Sequence, residues 1–300
     1  MQSRAEIFAQ PAARARRAAG TDAAGAAERS SNGGALRPAC AALYRRQPQL
    51  AAGAGIALLG ALATLAAMQL DARTLYDVNV WIKPTKFFVS LAVYYATLAW
   101  VFGYLPQQTH RSRAGRFVIF APLAVGVYEM TWIVAAAAIG IPSHFNAESP
   151  LWIMAYRLGG VGSLLLIVAI LVQGLMVARQ RTVTLAPALR AGIVAGAVIA
   201  FGATLITAGY LSASGSHWVG GVPSDAGGLP LFGWSRTGGD LRVAHFFALH
   251  AQQVLPALGL LAVRAGRPDA RGLVAAGAAV YVALIVYTFV QALRGVPFLG

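Results

Sequence analysis

Between residues 50 and 293 the chain passes through seven apolar runs, about 50–70, 80–105, 117–140, 151–178, 190–211, 241–263 and 272–293. Each comes close to the ~20 residues that a helix needs to cross a bilayer. A segment sunk in lipid must satisfy its own backbone, which leaves helices or closed barrels, and no ten-residue alternation of the barrel kind occurs. The sequence thus predicts an all-α fold, an integral membrane bundle of seven transmembrane helices spanning residues 50–300. Charged residues make up 11% of the chain, against roughly 25% in a soluble domain. That is too few to cover a water-facing surface, so a soluble enzyme is excluded. The single Cys40 excludes an intrachain disulfide and a cysteine metal cage.

The net charge of +14 does not point to nucleic acid. The arginines sit in short stretches between apolar runs, which is a topology signal. With the first 49 residues and every second connection assigned to the cytoplasm, 17 of the 24 positive residues lie inside. This predicts a cytoplasmic N-terminus and an extracytoplasmic C-terminus in a bacterial inner (cytoplasmic) membrane. It is the reverse of seven-helix receptors and rhodopsins, and the last run has no lysine for a retinal Schiff base. Residues 1–49, with Arg14, Arg16 and Arg17 close together, read as a disordered Ala/Arg-rich cytoplasmic tail. Their Arg-rich, acid-poor character also fits a transit peptide. Ser149 before Pro150, Asp240 and Asp269 read as helix N-caps.

Mapped onto this topology, the unusual polar residues gather on the extracytoplasmic side. Glu129 lies 13 residues after Arg116, near the bilayer midplane, where a carboxylate is costly and marks a functional site by default. The competing reading is a structural hydrogen bond to Tyr94 or Gln173. Lys83 and Lys86 open the second run, Arg157 enters the fourth and Arg242 the sixth. Together they predict a cationic ring for carboxylates or phosphates, although lysines at a helix end also snorkel. His144 lies in the second outer connection and His245 about one turn into the sixth run. At ~100° per residue, His245 and Gln252 share one face, and His250 and Gln253 another. The two histidines are therefore not a chelating pair, and each also suits interhelical hydrogen bonding. Connection 212–240 is long and Gly-rich, a kind of loop that is often functional.

No phosphate loop, dinucleotide fingerprint or HExxH motif is present. Three expectations follow. The leading one is a haem-binding or quinone-linked membrane redox protein. It would bind haem b through His144 and His245, with Lys83, Lys86, Arg157 and Arg242 near the propionates and His250 as a further partner. The next is a proton-coupled transporter or small-ligand binding protein working through Glu129. The third is a metal-dependent membrane enzyme acting on lipid, with zinc held by His144, His217, His245 and Asp240. Glu129 and Asp240 are the candidate catalytic carboxylates. The expected partners are the lipid bilayer and either a quinone or another membrane subunit.

The segments VNVWIKPTKFFVSLAVYYATLAW, YEMTWI followed by SHFN, and GGDLRVAHFFALHAQQVLP resemble those of a family of bacterial polytopic membrane proteins of about seven spans. The resemblance covers about residues 70–295. It implies a multi-helix membrane fold and carries no catalytic role.

Overall fold

The computed structural model describes residues 36–300. Seven helices are long and apolar enough to cross a membrane: α2 (Pro48–Leu70), α3 (Ile82–Phe102), α5 (Arg113–Ile139), α6 (Pro150–Arg179), α7 (Pro187–Ala213), α8 (Leu241–Arg264) and α9 (Arg271–Leu293). A helix α1 (Leu36–Arg46) precedes them, and a single turn α4 (Gln107–His110) links α3 to α5. Their apolar side chains face outward as well as inward. Leu58, Leu59 and Leu62 on α2 and Val280, Val286 and Tyr287 on α9 are all exposed, as lipid contact requires.

The helix starts follow local chemistry. Ser149 caps α6, accepting from Trp152 N at 3.4 Å, and Asp240 caps α8, accepting from Arg242 N at 3.0 Å. Asp269 is not a cap. Ala270 takes that position and α9 begins at Arg271. The tail reading also needs correction over its last residues. Arg14, Arg16 and Arg17 lie outside the described residues, but residues 36–46 are helical. Arg46 donates to Trp100 O at 2.7 Å and lies over the Tyr104 ring at 5.1 Å. These contacts hold α1 against the end of α3.

Helix α3 is the hub. The Tyr94 hydroxyl donates to Leu166 O of α6 and the Tyr95 hydroxyl to Pro122 O of α5. Gln173 of α6 donates to Leu98 O, and Gln253 of α8 to Thr97. Helices α7 and α8 approach each other closely along Ala188, Gly192, Gly196 and Ala200, a small residue every turn. A Cβ on Gly196 would lie 2.7 Å from Ala251 O, and one on Gly259 2.6 Å from Ala188 O. Small residues let helices pack where lipid offers no hydrophobic drive. Gly196→Leu is therefore expected to cost about 3 kcal/mol through overpacking. Thermal unfolding in detergent measures this.

The connections sort to two ends. Residues 103–112, 180–186 and 265–270 lie at an arginine-rich end. Residues 71–81, 140–149, 214–240 and 294–300 lie at the opposite, loop-rich end. There β1 (Thr74–Leu75) and β2 (Val78–Asn79) form a hairpin whose turn residues, Tyr76 and Asp77, both have positive φ. That is the tight turn whose twist suits a two-residue hairpin. Strands β3 (Trp218–Val219) and β4 (Gly239–Asp240) pair antiparallel, closing segment 218–240 at its base into a cap.

Candidate functional site

The cap is fastened by charge. Arg242, in the first turn of α8, donates to Asp225 Oδ1 at 2.8 Å, to Asp240 Oδ2 at 2.7 Å and to Gly233 O at 2.8 Å. The Asp240 side chain is 0% exposed and also accepts from Ser235 N at 2.9 Å. Lys86 reaches over from α3 to donate to Phe232 O at 2.8 Å. Two cations on two helices thus hold successive carbonyls of the cap. Beneath them Trp234 is buried among Phe246, Phe247 and Phe298. The first hairpin joins in, since Ser224 donates to Asp77 at 2.7 Å and Asp225 N to Tyr76 O at 3.1 Å.

His217 lies at the base of the cap, with Nε2 3.6 Å from Asp225, too far for a hydrogen bond. Burial pushes its pKa below the usual histidine value. Burial alone would raise Asp225, but His217 and Arg242 outweigh it and bring that carboxyl to about 2. The unfolded histidine takes its proton near pH 6.5, whereas the folded ring resists it. The stability that His217 contributes is therefore present above pH ~6.5 and is lost as pH falls below it. The contribution of Asp225 is full above the ordinary carboxylate value of about 3.9 and is lost as pH falls from there through about 2. Between pH 7 and 4.5 we expect the amides of 218–240 to lose hydrogen-exchange protection, and His217→Gln to flatten that dependence.

The second cluster joins α3 to the 140–149 connection. Lys83 donates to His144 Nδ1 at 3.2 Å, with Ser143 Oγ 3.1 Å from the same nitrogen. The ring is walled by Phe87, Trp132 and Tyr156, with centroids 5.6–6.4 Å away. Burial, with the Lys83 charge adding to it, pushes His144 well below the usual histidine range, so the imidazole is neutral. A charged lysine has only protons to offer, so in this contact His144 Nδ1 is the acceptor.

Glu129 lies on α5, about 15 Å of helix below Ile139. It is 6% exposed, and its Oε1 is buried without a hydrogen-bond partner among the described residues. Tyr94 and Gln173, the two side chains that would have made it structural, are spent on Leu166 O and Leu98 O. Its carboxyl sits against a recess in α6 made by two glycines. A Cβ on Gly159 would lie 2.9 Å from Oε1, and one on Gly162 3.5 Å from it. No ion pair joins Glu129 to Lys83 among the described residues.

The expected ring of four cations is not formed. Lys83, Lys86 and Arg242 are engaged as described, and Arg157 is exposed on α6 with no side-chain hydrogen bond among the described residues. Arg157→Gln should leave thermal stability within about 0.5 kcal/mol of the parent, as a detergent melt would show. His245 has its Nδ1 buried and unpartnered among the described residues. The His250 ring lies on Phe246 at 4.1 Å. No three His, Cys, Asp or Glu side chains gather to hold a metal among the described residues, so the set His144, His217, His245 and Asp240 is not brought together. Asp240 acts as cap and clamp. The sequence reading places Asp225 and Ser143 among the polar residues of the outer connections without giving them a role, and it missed Gly159 and Gly162. Two glycines three apart, at the depth of an intramembrane carboxylate, were the available signal for the recess.

Comparison of the chain with protein-family models, curated proteins and solved structures found no match in any of the three. The resemblance to bacterial polytopic proteins therefore rests on its three segments alone.

Proposed function

We propose that this chain is a proton-coupled membrane transporter of a small solute, with Glu129 as the group that exchanges the proton. The supporting observation is the Glu129 carboxyl itself. It lies inside a spanning helix with an oxygen that has no hydrogen-bond partner among the described residues, and Tyr94 and Gln173, the structural partners the sequence suggested, bond main-chain carbonyls instead. Intramembrane carboxylates are retained at that cost where protons or ions move. In this reading Lys83 supplies a balancing charge, His144 holds the lysine in place, and the 218–240 cap closes the loop-rich end. In this reading that end faces outward from a bacterial inner membrane, with the positive-inside count supporting a cytoplasmic N-terminus.

The test is proton movement in proteoliposomes carrying a trapped pH indicator. After an imposed pH gradient, addition of the transported solute from a panel of small acids and amines should drive proton entry. Glu129→Gln should abolish that entry at unchanged protein content. A haem absorption band in the purified protein that His144→Ala removes would overturn the proposal in favour of the redox reading.

A further inference from the structure

We infer that the arginine-rich end carries a separate binding site, a cleft for the phosphate of an anionic phospholipid headgroup. The cleft lies between the end of α6 and the starts of α7 and α9, and its volume of about 430 Å³ falls in the usual range for ligand sites, roughly 300–1,000 Å³. Its polar half consists of Arg181, Arg190 and Arg271, and its apolar half includes Ala178, Ala191 and Val194.

The arginines come from three stretches of chain that are far apart in sequence. Arg190 is fixed in place, donating to Val177 O at 2.5 Å and to Gln180 O at 2.8 Å. Its Nε and Nη2 protons remain available. Arg181 spends one donor on Ala178 O at 3.2 Å. The Arg271 side chain makes no hydrogen bond among the described residues. None of the three pairs with a carboxylate among the described residues, whose ion pairs all lie at the other end of the bundle. The starts of α7 and α9 border the same cleft and add the positive ends of their dipoles. Guanidinium groups match phosphate oxygens in fork geometry. A free anion would use only the polar half. A phospholipid also covers Ala178, Ala191 and Val194 with its glycerol and upper acyl carbons, at the level where the spanning helices begin.

The inference is independent of Glu129, and its test is built to stay so. Full-length protein in neutral detergent is titrated with phosphatidylglycerol, with bound lipid counted by native mass spectrometry and the melting temperature followed in parallel. Phosphatidylcholine and inorganic phosphate serve as comparators. Phosphatidylglycerol should remain bound and raise the melting temperature, and phosphatidylcholine should do neither. In Arg181→Gln/Arg271→Gln the affinity should fall about thirtyfold, the factor that two basic residues contribute near an anionic surface. Arg190 is left intact because it ties α7 to the end of α6. Glu129→Gln should bind the lipid like the parent. Equal retention of phosphatidylcholine, or unchanged phosphatidylglycerol binding in the double variant, would overturn the site. Equal stabilisation by inorganic phosphate would overturn its assignment to lipid. If the glutamine pair fails to fold, Arg181→Lys/Arg271→Lys keeps the charge and removes the fork. It should weaken binding, and undiminished affinity would overturn the guanidinium argument.

Discussion

Replacing Arg242 by alanine is expected to destabilise the protein by about 3–5 kcal/mol, the cost of removing one partner from a buried ion pair. Arg242 holds Asp225, Asp240 and Gly233 O together, and Asp240 is fully buried. Without the guanidinium, Asp240 keeps only Ser235 N and the amide of residue 242 as donors, and its charge stays in a site closed to water. A second substitution separates charge from shape. Asp240→Asn removes the unpaired charge but keeps an oxygen for only one of the two amides, since Arg242 N bonds Oδ1 and Ser235 N bonds Oδ2. Arg242→Ala/Asp240→Asn should therefore recover part of the loss. Limited proteolysis within 220–238 reads the cap directly, with cleavage fast in Arg242→Ala, intermediate in the double variant and slow in the parent. Equal cleavage in all three would show that the clamp does not hold the cap.

Glu129→Gln carries the largest expected functional effect. Glutamine matches the shape of the carboxyl and binds no exchangeable proton, so the fold should tolerate it and proton coupling should disappear. Stability should change by no more than about 1 kcal/mol. Gly159→Val gives the complementary result. Its side chain enters the recess that Glu129 Oε1 now occupies, since even a Cβ there would lie 2.9 Å away. Coupling should be lost through displacement of an intact carboxylate, with a packing penalty of about 1–3 kcal/mol. Proton entry into proteoliposomes, normalised to folded protein, distinguishes the two. Glu129→Gln should be stable and uncoupled, and Gly159→Val uncoupled and less stable.

The bundle was legible because lipid imposes a length. The runs read at 50–70, 151–178 and 272–293 end within a few residues of α2, α6 and α9. Ser149 and Asp240 were recognisable caps because capping is local. Helix α1 escaped notice because Arg46, Trp100 and Tyr104 meet only after the chain has crossed and returned. The cations show the same division. Sequence gives Lys83, Lys86, Arg157 and Arg242 a similar depth, but not their direction around the bundle. Three point to partners within the cap or the 140–149 connection and one points outward. Glu129 was identifiable because depth alone makes a carboxylate costly. The fates of Tyr94 and Gln173, which turn it from a structural group into a candidate working one, are long-range pairings that no spacing encodes.

The central claim is that Glu129 exchanges a proton inside the membrane, and infrared difference spectroscopy across a pH titration tests it most directly. Reconstituted parent protein should show a carboxylic-acid carbonyl band that exchanges with a carboxylate band as pH changes. In Glu129→Gln that pair should be missing and the remaining spectrum unaltered. If the difference spectra of the parent and Glu129→Gln superimpose across the titration, Glu129 moves no proton and the account of this site is wrong.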